Sequence, residues 1–395
     1  MLNVDSRIQG NVYQDKRRYF WLSQPLLPLL PSLSCWLGYA YNIPAIYWST
    51  AIFWFVLIAL LDELLPTDDN NPPEHLLNEV ETDSYYYRLL FASTPSYLIN
   101  ISYICWFVGT HDLNLVDYIG IGVSLGIVSG LGLAVGHELG HKTSYFFRRA
   151  GKFLLGISGV PHFIVGHLNG HHRLVATPDD SSSSQMGESL YHFGFMRQQP
   201  GFYIESWRAE KAKAERSGKS IWNLENETLQ QHFITISLFG GLTFLFGANV
   251  LPFLLFQMYV CWWYLTLIEY CQHYGLKREI LQNGTYKKAT MQHSWNTNMI
   301  MSNNLLLNFV RHSPHHLSSV RWYQALRDME TAPKLPYCYS LMFIAAMFPP
   351  VFFYLMDKRV VEWAKQDLKK INIYKPAHKR LVKKWDKIKL EAGNN

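Results

Sequence analysis

The 395-residue chain carries 16 histidines, most of them in short clusters whose spacing suits metal ligation. In His137-Glu138-Leu139-Gly140-His141 two imidazoles stand four apart, the interval that places both on one helix face. Gly166-His167-Leu168-Asn169-Gly170-His171-His172 follows with i, i+4, i+5 spacing, and Arg311-His312-Ser313-Pro314-His315-His316 with i, i+3, i+4. A single histidine, His273, lies in Tyr270-Cys271-Gln272-His273-Tyr274-Gly275. Taken alone, His137–His141 is the HExxH zinc-protease signature, with Glu138 as general base. A catalytic zinc takes three protein ligands and a water, so that reading leaves most of the other imidazoles without a role. Two metals sharing about nine imidazoles fit the repeated HxxxH and HxxHH spacings better. The five cysteines form no CxxC pair, which argues against a disulfide framework, a thiolate zinc site and an iron–sulfur site.

Imidazole binds zinc, copper, iron and nickel alike, so the context must choose the metal. Two redox metals at a membrane surface, reached by apolar molecules from the bilayer, suit oxygen activation. Taking hydrogen from an unactivated C–H bond needs a strong oxidant, which two iron ions, O2 and two electrons can supply. The chain has no GxGxxG and no CxxCH, so the electrons must come from a separate protein.

The surrounding elements read as membrane helices. Hydrophobic residues make up 49% of the chain and charged residues 17%, against about 25% in an average soluble protein. That composition excludes a disordered chain and makes a nucleic-acid binder a poor fit. Six stretches lack Asp, Glu, Lys and Arg altogether: Trp21–Tyr41, Ile43–Leu61, Leu89–Thr110, Tyr118–Gly136, Phe233–Ala248 and Val250–Ile268. A span needs roughly 20 apolar residues, and most of these reach that range. If the stretches alternate in direction, all 36 Lys and Arg residues fall on one side, which the positive-inside rule makes cytoplasmic. The expected fold is therefore an all-α integral membrane protein of the inner membrane, with six transmembrane helices, both termini cytoplasmic and a cytoplasmic histidine-rich cap.

Residues 1–20 form the N-terminal segment, with no cleavable signal peptide, and 21–136 hold the first four spans. Residues 137–232 carry the first two histidine clusters, and 233–268 hold the last two spans. Residues 269–356 carry His273 and the third cluster. Within them, Tyr339–Met356 is apolar but broken at Pro349-Pro350, which reads as interfacial. The basic tail 357–395 is either solvated or lies against membrane lipids.

The motifs resemble those of the membrane-bound alkane 1-monooxygenases. The likeness runs through His137–Lys142, Gly170–Pro178, Met186-Gly187-Glu188-Ser189, His273-Tyr274-Gly275-Leu276, His293-Ser294-Trp295-Asn296, Arg311–His316 and Tyr323–Arg327, with Asn70-Asn71-Pro72-Pro73-Glu74 upstream. The resemblance implies a six-helix bundle and two iron ions. It also implies nine ligands, which land on His137, His141, His167, His171, His172, His273, His312, His315 and His316. It implies O2, a hydrocarbon substrate and electrons from a rubredoxin or ferredoxin-type donor with its reductase. Rubredoxins are acidic, and Lys142, Arg148, Arg149 and Lys152 offer a basic docking side. Trp54 takes the place of the family ring that limits substrate length. His162 and His293 do not correspond to ligands.

The chain also departs from the family pattern. The family usually has Glu-His-Asn where Gly166-His167-Leu168 stands, Glu at Gln272 and Asp at Pro314. These changes remove carboxylates from beside ligands, where they orient imidazoles. Glu269, four residues before His273, is expected to replace one of them as a partner of that ring. Gln272 and Asn169 look more like xylene monooxygenase hydroxylases. Methyl hydroxylation of alkyl-aromatics therefore stays open beside alkane hydroxylation, as does a di-iron fatty-acyl desaturase or hydroxylase.

Overall fold

The computed structural model describes residues 13–393; the first twelve residues of the N-terminal segment and the last two of the tail lie outside it. The described residues form helices joined by turns, and isolated bridges are the only β pairing among them. Four helices are long and apolar enough to cross a membrane: Pro44–Leu64, Leu115–Gly140, Glu227–Phe246 and Val250–His273.

The first apolar stretch, Trp21–Tyr41, behaves differently. Its α-helix is confined to Leu30–Ala40, 11 residues preceded by 3-10 turns at Arg18–Ser23 and Leu27–Leu29. Pro25, Pro28 and Pro31 each lack a backbone N–H, so they cannot sustain a regular helix through that segment. At about 1.5 Å per residue the α-helical part reaches about 16 Å, roughly half the hydrocarbon thickness. The third stretch forms a 27-residue helix, Ser84–Thr110, begun where the Asp83 side chain accepts from the Tyr85 N–H.

Leu115–Gly140 is the central helix, and glycine lets its neighbours approach. A Cβ at Gly122 would meet Phe256, at Gly126 Val260 and at Gly130 Tyr264, all closer than 3 Å. This small-residue stripe draws Val250–His273 into close packing along its length. Both helices end at the same end of the bundle, where His137, His141 and His273 emerge. At the other end Glu227–Phe246 stops at Gly247, whose φ of +107° is open to glycine alone, and the chain turns straight into Val250–His273.

Polar contacts lock the histidine-bearing end. Asp62, at the end of Pro44–Leu64, accepts from Met301 N at 2.8 Å and from Ser302 Oγ at 2.5 Å. The fully buried Arg311 donates to Asp68, Asn70 O, Asn298 and Leu326 O, and Arg17 meets the same Asp68 at 2.9 Å. Removing one member of such a buried network strands the others, so it fixes the short helix His312–Leu317. Residues 371–374 thread between two loops as a strap: Asn372 N donates to Gly275 O, Met186 N to Asn372 O, and Tyr374 N to Met186 O. Tyr339–Met347 departs from the interfacial expectation. Tyr339, Met342 and Phe343 are fully buried in the core, and the break at Phe348 leads into a second helix, Pro349–Trp363.

Candidate metal centre

Four segments distant in sequence bring nine imidazoles together. His137 and His141 end the Leu115–Gly140 helix, and His273 ends Val250–His273. A π-helical turn, His167–His171, and the residue after it supply three more rings. The helix His312–Leu317 supplies the last three, with Pro314 tolerated in its first turn. The rings fall into two groups within which the nitrogens lie no more than 4.8 Å apart. One holds His137, His141, His167, His172 and His315; the other holds His171, His273, His312 and His316. The π turn gives His171 to one group and its neighbours to the other, and the third cluster divides likewise. The groups touch, with ring centroids of His172 and His316 4.7 Å apart.

The nitrogens are placed for cations. His167 Nε2 lies 2.9 Å from both His137 Nε2 and His172 Nε2, and His137 Nε2 lies 3.0 Å from His141 Nε2. His316 Nε2 and His312 Nε2 are 2.9 Å apart, while the buried His171 Nε2 and His273 Nε2 have no hydrogen-bond partner. Nitrogens converging this way could hold metal ions. For a metal–nitrogen bond of roughly 2.0–2.1 Å, ligands at right angles sit roughly 2.9 Å apart and tetrahedral ones roughly 3.3 Å. The separations, 2.9–3.0 Å for most pairs and 3.3 Å between His315 Nε2 and His172 Nε2, cover both cases and leave the metal open.

Burial holds the imidazoles of His167, His172, His312, His315 and His316 well below their ordinary pKa, in the neutral form that ligates. His171 is the exception. Burial opposes its charge, but Asp180 and Glu269 outweigh burial and raise its pKa. Its Nδ1 lies 2.9 Å from Asp180 Oδ2, so the proton is held there and Nε2 faces the group. Asp180 is itself anchored by Ser183 Oγ at 2.6 Å and Ser182 N at 3.0 Å. It went unnoticed in the sequence, where the one signal was a carboxylate nine residues beyond His171. His273 is oriented by a carbonyl: its Nδ1 lies 3.2 Å from His293 O, so His293 contributes its backbone rather than its ring.

Two expectations change, and the protease reading already set aside finds no support. Glu269 does not partner His273; its carboxylate lies 3.7 Å from His171 Nε2 and can reach the ligand set containing His167 and His171. Residues four apart share a face, but the His293 carbonyl already holds the His273 ring, while the His171 turn packs over Glu269. Glu138 is not poised as a protease base: it accepts from Lys142 Nζ at 2.7 Å and from Tyr323 N at 3.0 Å. The expected basic docking side is largely committed. Lys142 is buried against Glu138, and Arg148 and Lys152 both pair with Glu227, at 3.3 and 2.5 Å.

Gln272 is fully buried with its amide beside the Tyr339 phenol, and neither amide atom bonds a histidine. At Gly166 a Cβ would meet Phe202 O at 2.5 Å, so the helix Gln199–Arg216 has closed over the space a family Glu would need. Phe309 lies against three of the rings, 4.6 Å from His137, 4.5 Å from His312 and 5.5 Å from His315, an apolar wall spanning both groups. Trp54 is fully buried inside a π-helical stretch, Phe53–Ile58, 5.6 Å from Tyr264, with its Nε1 unpartnered. His162 packs among Tyr203, Trp262 and His232, outside both groups.

Comparison with known proteins is decisive once this geometry is in view. The fatty acid desaturase family model matches residues 116–348, the region holding every ring of both groups. The chain is 42% identical to alkane 1-monooxygenase 1 of Alcanivorax borkumensis, over 91% of this chain and 89% of that protein. It is 40% identical to the alkane 1-monooxygenase of Ectopseudomonas oleovorans, over 94% and 93%. The chain belongs to the alkane 1-monooxygenase family. A xylene/toluene monooxygenase hydroxylase component, XylM of Pseudomonas putida, is also similar, at 28% identity over 61% of this chain and 64% of that one. Membership makes this chain a membrane monooxygenase of the non-haem di-iron type, and its two imidazole groups are consistent with that.

Proposed function

We propose that this protein hydroxylates the terminal methyl of medium-chain alkanes, forming primary alcohols: RH + O2 + 2 e− + 2 H+ → ROH + H2O. The observation that carries the reading is the convergence of nine imidazoles, in groups of five and four, at one end of a bundle of apolar helices. The five-histidine and four-histidine groups would each hold one iron, and the pair would supply the oxidising chemistry. Asp180, through His171, and the His293 carbonyl, through His273, orient ligand rings. Phe309 keeps water from the reacting methyl on the ligand side. Trp54 and Tyr264 bound an apolar route from the bilayer. Tyr264 precedes His273 by nine residues, about 14 Å along the helix axis, a length in keeping with a medium-length chain.

The membrane arrangement belongs to the same reading. Ser84–Thr110 and the broken Trp21–Tyr41 segment complete six passes in the inner membrane, with the histidine cap and both termini cytoplasmic. Rubredoxin, reduced by its reductase, supplies electrons. Hydroxylation of alkyl-aromatic methyl groups is the second reading, favoured by Gln272 and by the likeness to XylM. Iron quantification on the purified protein, with O2-dependent product analysis on a mixture of octane and p-xylene, tests both. Two irons per chain and 1-octanol support the proposal; an alkene product, or activity with zinc alone, would refute it.

A further inference from the structure

Glu269 is a buried carboxylate with no hydrogen-bond donor. It lies on the Val250–His273 helix one turn, about 6 Å, before His273, and neither of its oxygens accepts a hydrogen bond. Among the described residues no lysine or arginine pairs with it; its one charged neighbour within reach is the His171 ring. Burying an ionised carboxylate without donors or a cation is costly, so such a group marks a place where a cation belongs. We infer that Glu269 is the fifth ligand of the metal in the four-histidine group, an inference that rests on the di-iron reading above.

The distances suit that role and no other. Glu269 Oε2 lies 3.7 Å from His171 Nε2, too far for a hydrogen bond. Two donors that share one ion, each bonded at roughly 2.0–2.2 Å, can stand up to roughly 4.3 Å apart, so 3.7 Å leaves room for an ion between them. His171 Nε2 is also the nitrogen free to ligate, since Asp180 holds Nδ1 at 2.9 Å. His273, whose Nε2 is the other unpartnered nitrogen of this kind in the group, ends the helix that carries Glu269. The ligand count agrees. One group has five imidazoles and the other four, and Glu269 brings the second to five donors. One nitrogen of His167 also comes within 4.8 Å of the carboxylate, but His167 Nε2 stands 2.9 Å from both His137 and His172, inside the group that already has five. Neutral imidazoles leave a divalent ion's charge uncompensated; Glu269 would offset part of it directly, whereas Asp180 acts through the His171 ring.

The test reads the metal rather than turnover. The purified full chain in detergent is loaded with Mössbauer-active ferrous iron and followed by Mössbauer spectroscopy and by competition with a graded ferrous chelator. The wild type should give two ferrous doublets, assigned with His312→Ala and His141→Ala, each of which removes a ligand from one group. Glu269→Gln should alter or lose the doublet that His312→Ala loses. It should release that iron at more than about 100-fold lower chelator strength, beyond the cost of losing a partner of a ligating imidazole. Glu269→Asp keeps the charge on a shorter arm and covers the case in which the Gln variant does not fold; it should shift the same doublet. Unaltered doublets in both variants, or loss confined to the iron that His141→Ala removes, overturns the assignment. So does weakening no greater than that of Asp180→Asn with the doublet unmoved, which would make Glu269 a positioning residue. A wild type that holds two irons with a Glu269-dependent doublet yet forms no alcohol would refute the hydroxylase reading and uphold the ligand; alcohol from a wild type whose irons ignore Glu269 would do the reverse.

Discussion

Asp180→Asn should loosen the iron of the four-histidine group while sparing the other. Asp180 Oδ2 lies 2.9 Å from His171 Nδ1, and both side chains are no more than 2% exposed, so water cannot replace the lost carboxylate. Ser183 Oγ and Ser182 N hold the acid in place, and an amide of the same shape keeps much of that scaffold. What goes is the charge that fixes the proton on Nδ1 and sharpens the Nε2 lone pair. Partners of ligating imidazoles typically contribute 10–100-fold in metal affinity, about 1.4–2.7 kcal/mol. The assay is iron per chain after dialysis against graded concentrations of a ferrous chelator, with circular dichroism to confirm that the helices persist. The variant should release one iron at about 10–100-fold lower chelator strength and keep the second as the wild type does. Two irons retained as in the wild type would refute the reasoning; so would loss of both together with helicity intact.

Other outcomes follow from the same geometry. Trp54→Ser removes a fully buried ring beside Tyr264, so longer chains should be accepted, at about 3–5 kcal/mol in stability; chromatography of products across chain lengths checks it, and an unchanged profile counts against it. Glu269→Gln should lower iron content and turnover together, because the carboxylate reaches the ligand set containing His167 and His171; wild-type values for both would reduce Glu269 to a helix-end residue. Asp357, buried beside the Tyr274 hydroxyl, has its pKa pushed up to about 6 by burial, against an ordinary 3.8. The folded state thus binds this proton more tightly than the unfolded chain. Stability falls as pH rises from about 4 to 6, by at most about 3 kcal/mol, and stays reduced above that. Asp357→Asn should therefore raise the thermal midpoint at pH 8 and lose its advantage towards pH 4; an equal shift at both pH values would exclude this cause.

Eight of the nine candidate ligands were legible in the chain because short helical spacings are facts of local geometry, true wherever the helix sits, whereas His273 stands alone in its segment. Apolar length likewise announced Leu115–Gly140 and Val250–His273, whose ends carry three of the nine rings. How the rings divide was not legible. His171 and His172 are neighbours in sequence yet belong to different groups, because a π turn and the packing of three other segments decide which way each ring faces. Asp180 acquires its role only when the fold sets it against the His171 ring, and Glu138, already paired with Lys142 four residues on, is capped by the N–H of Tyr323 from far along the chain. Glu269 shares a helix face with His273, but its neighbour is supplied by a turn about a hundred residues away in the chain. Periodicity along a chain reports which face a residue occupies; the partner waiting on that face comes from long-range packing, which no local pattern records.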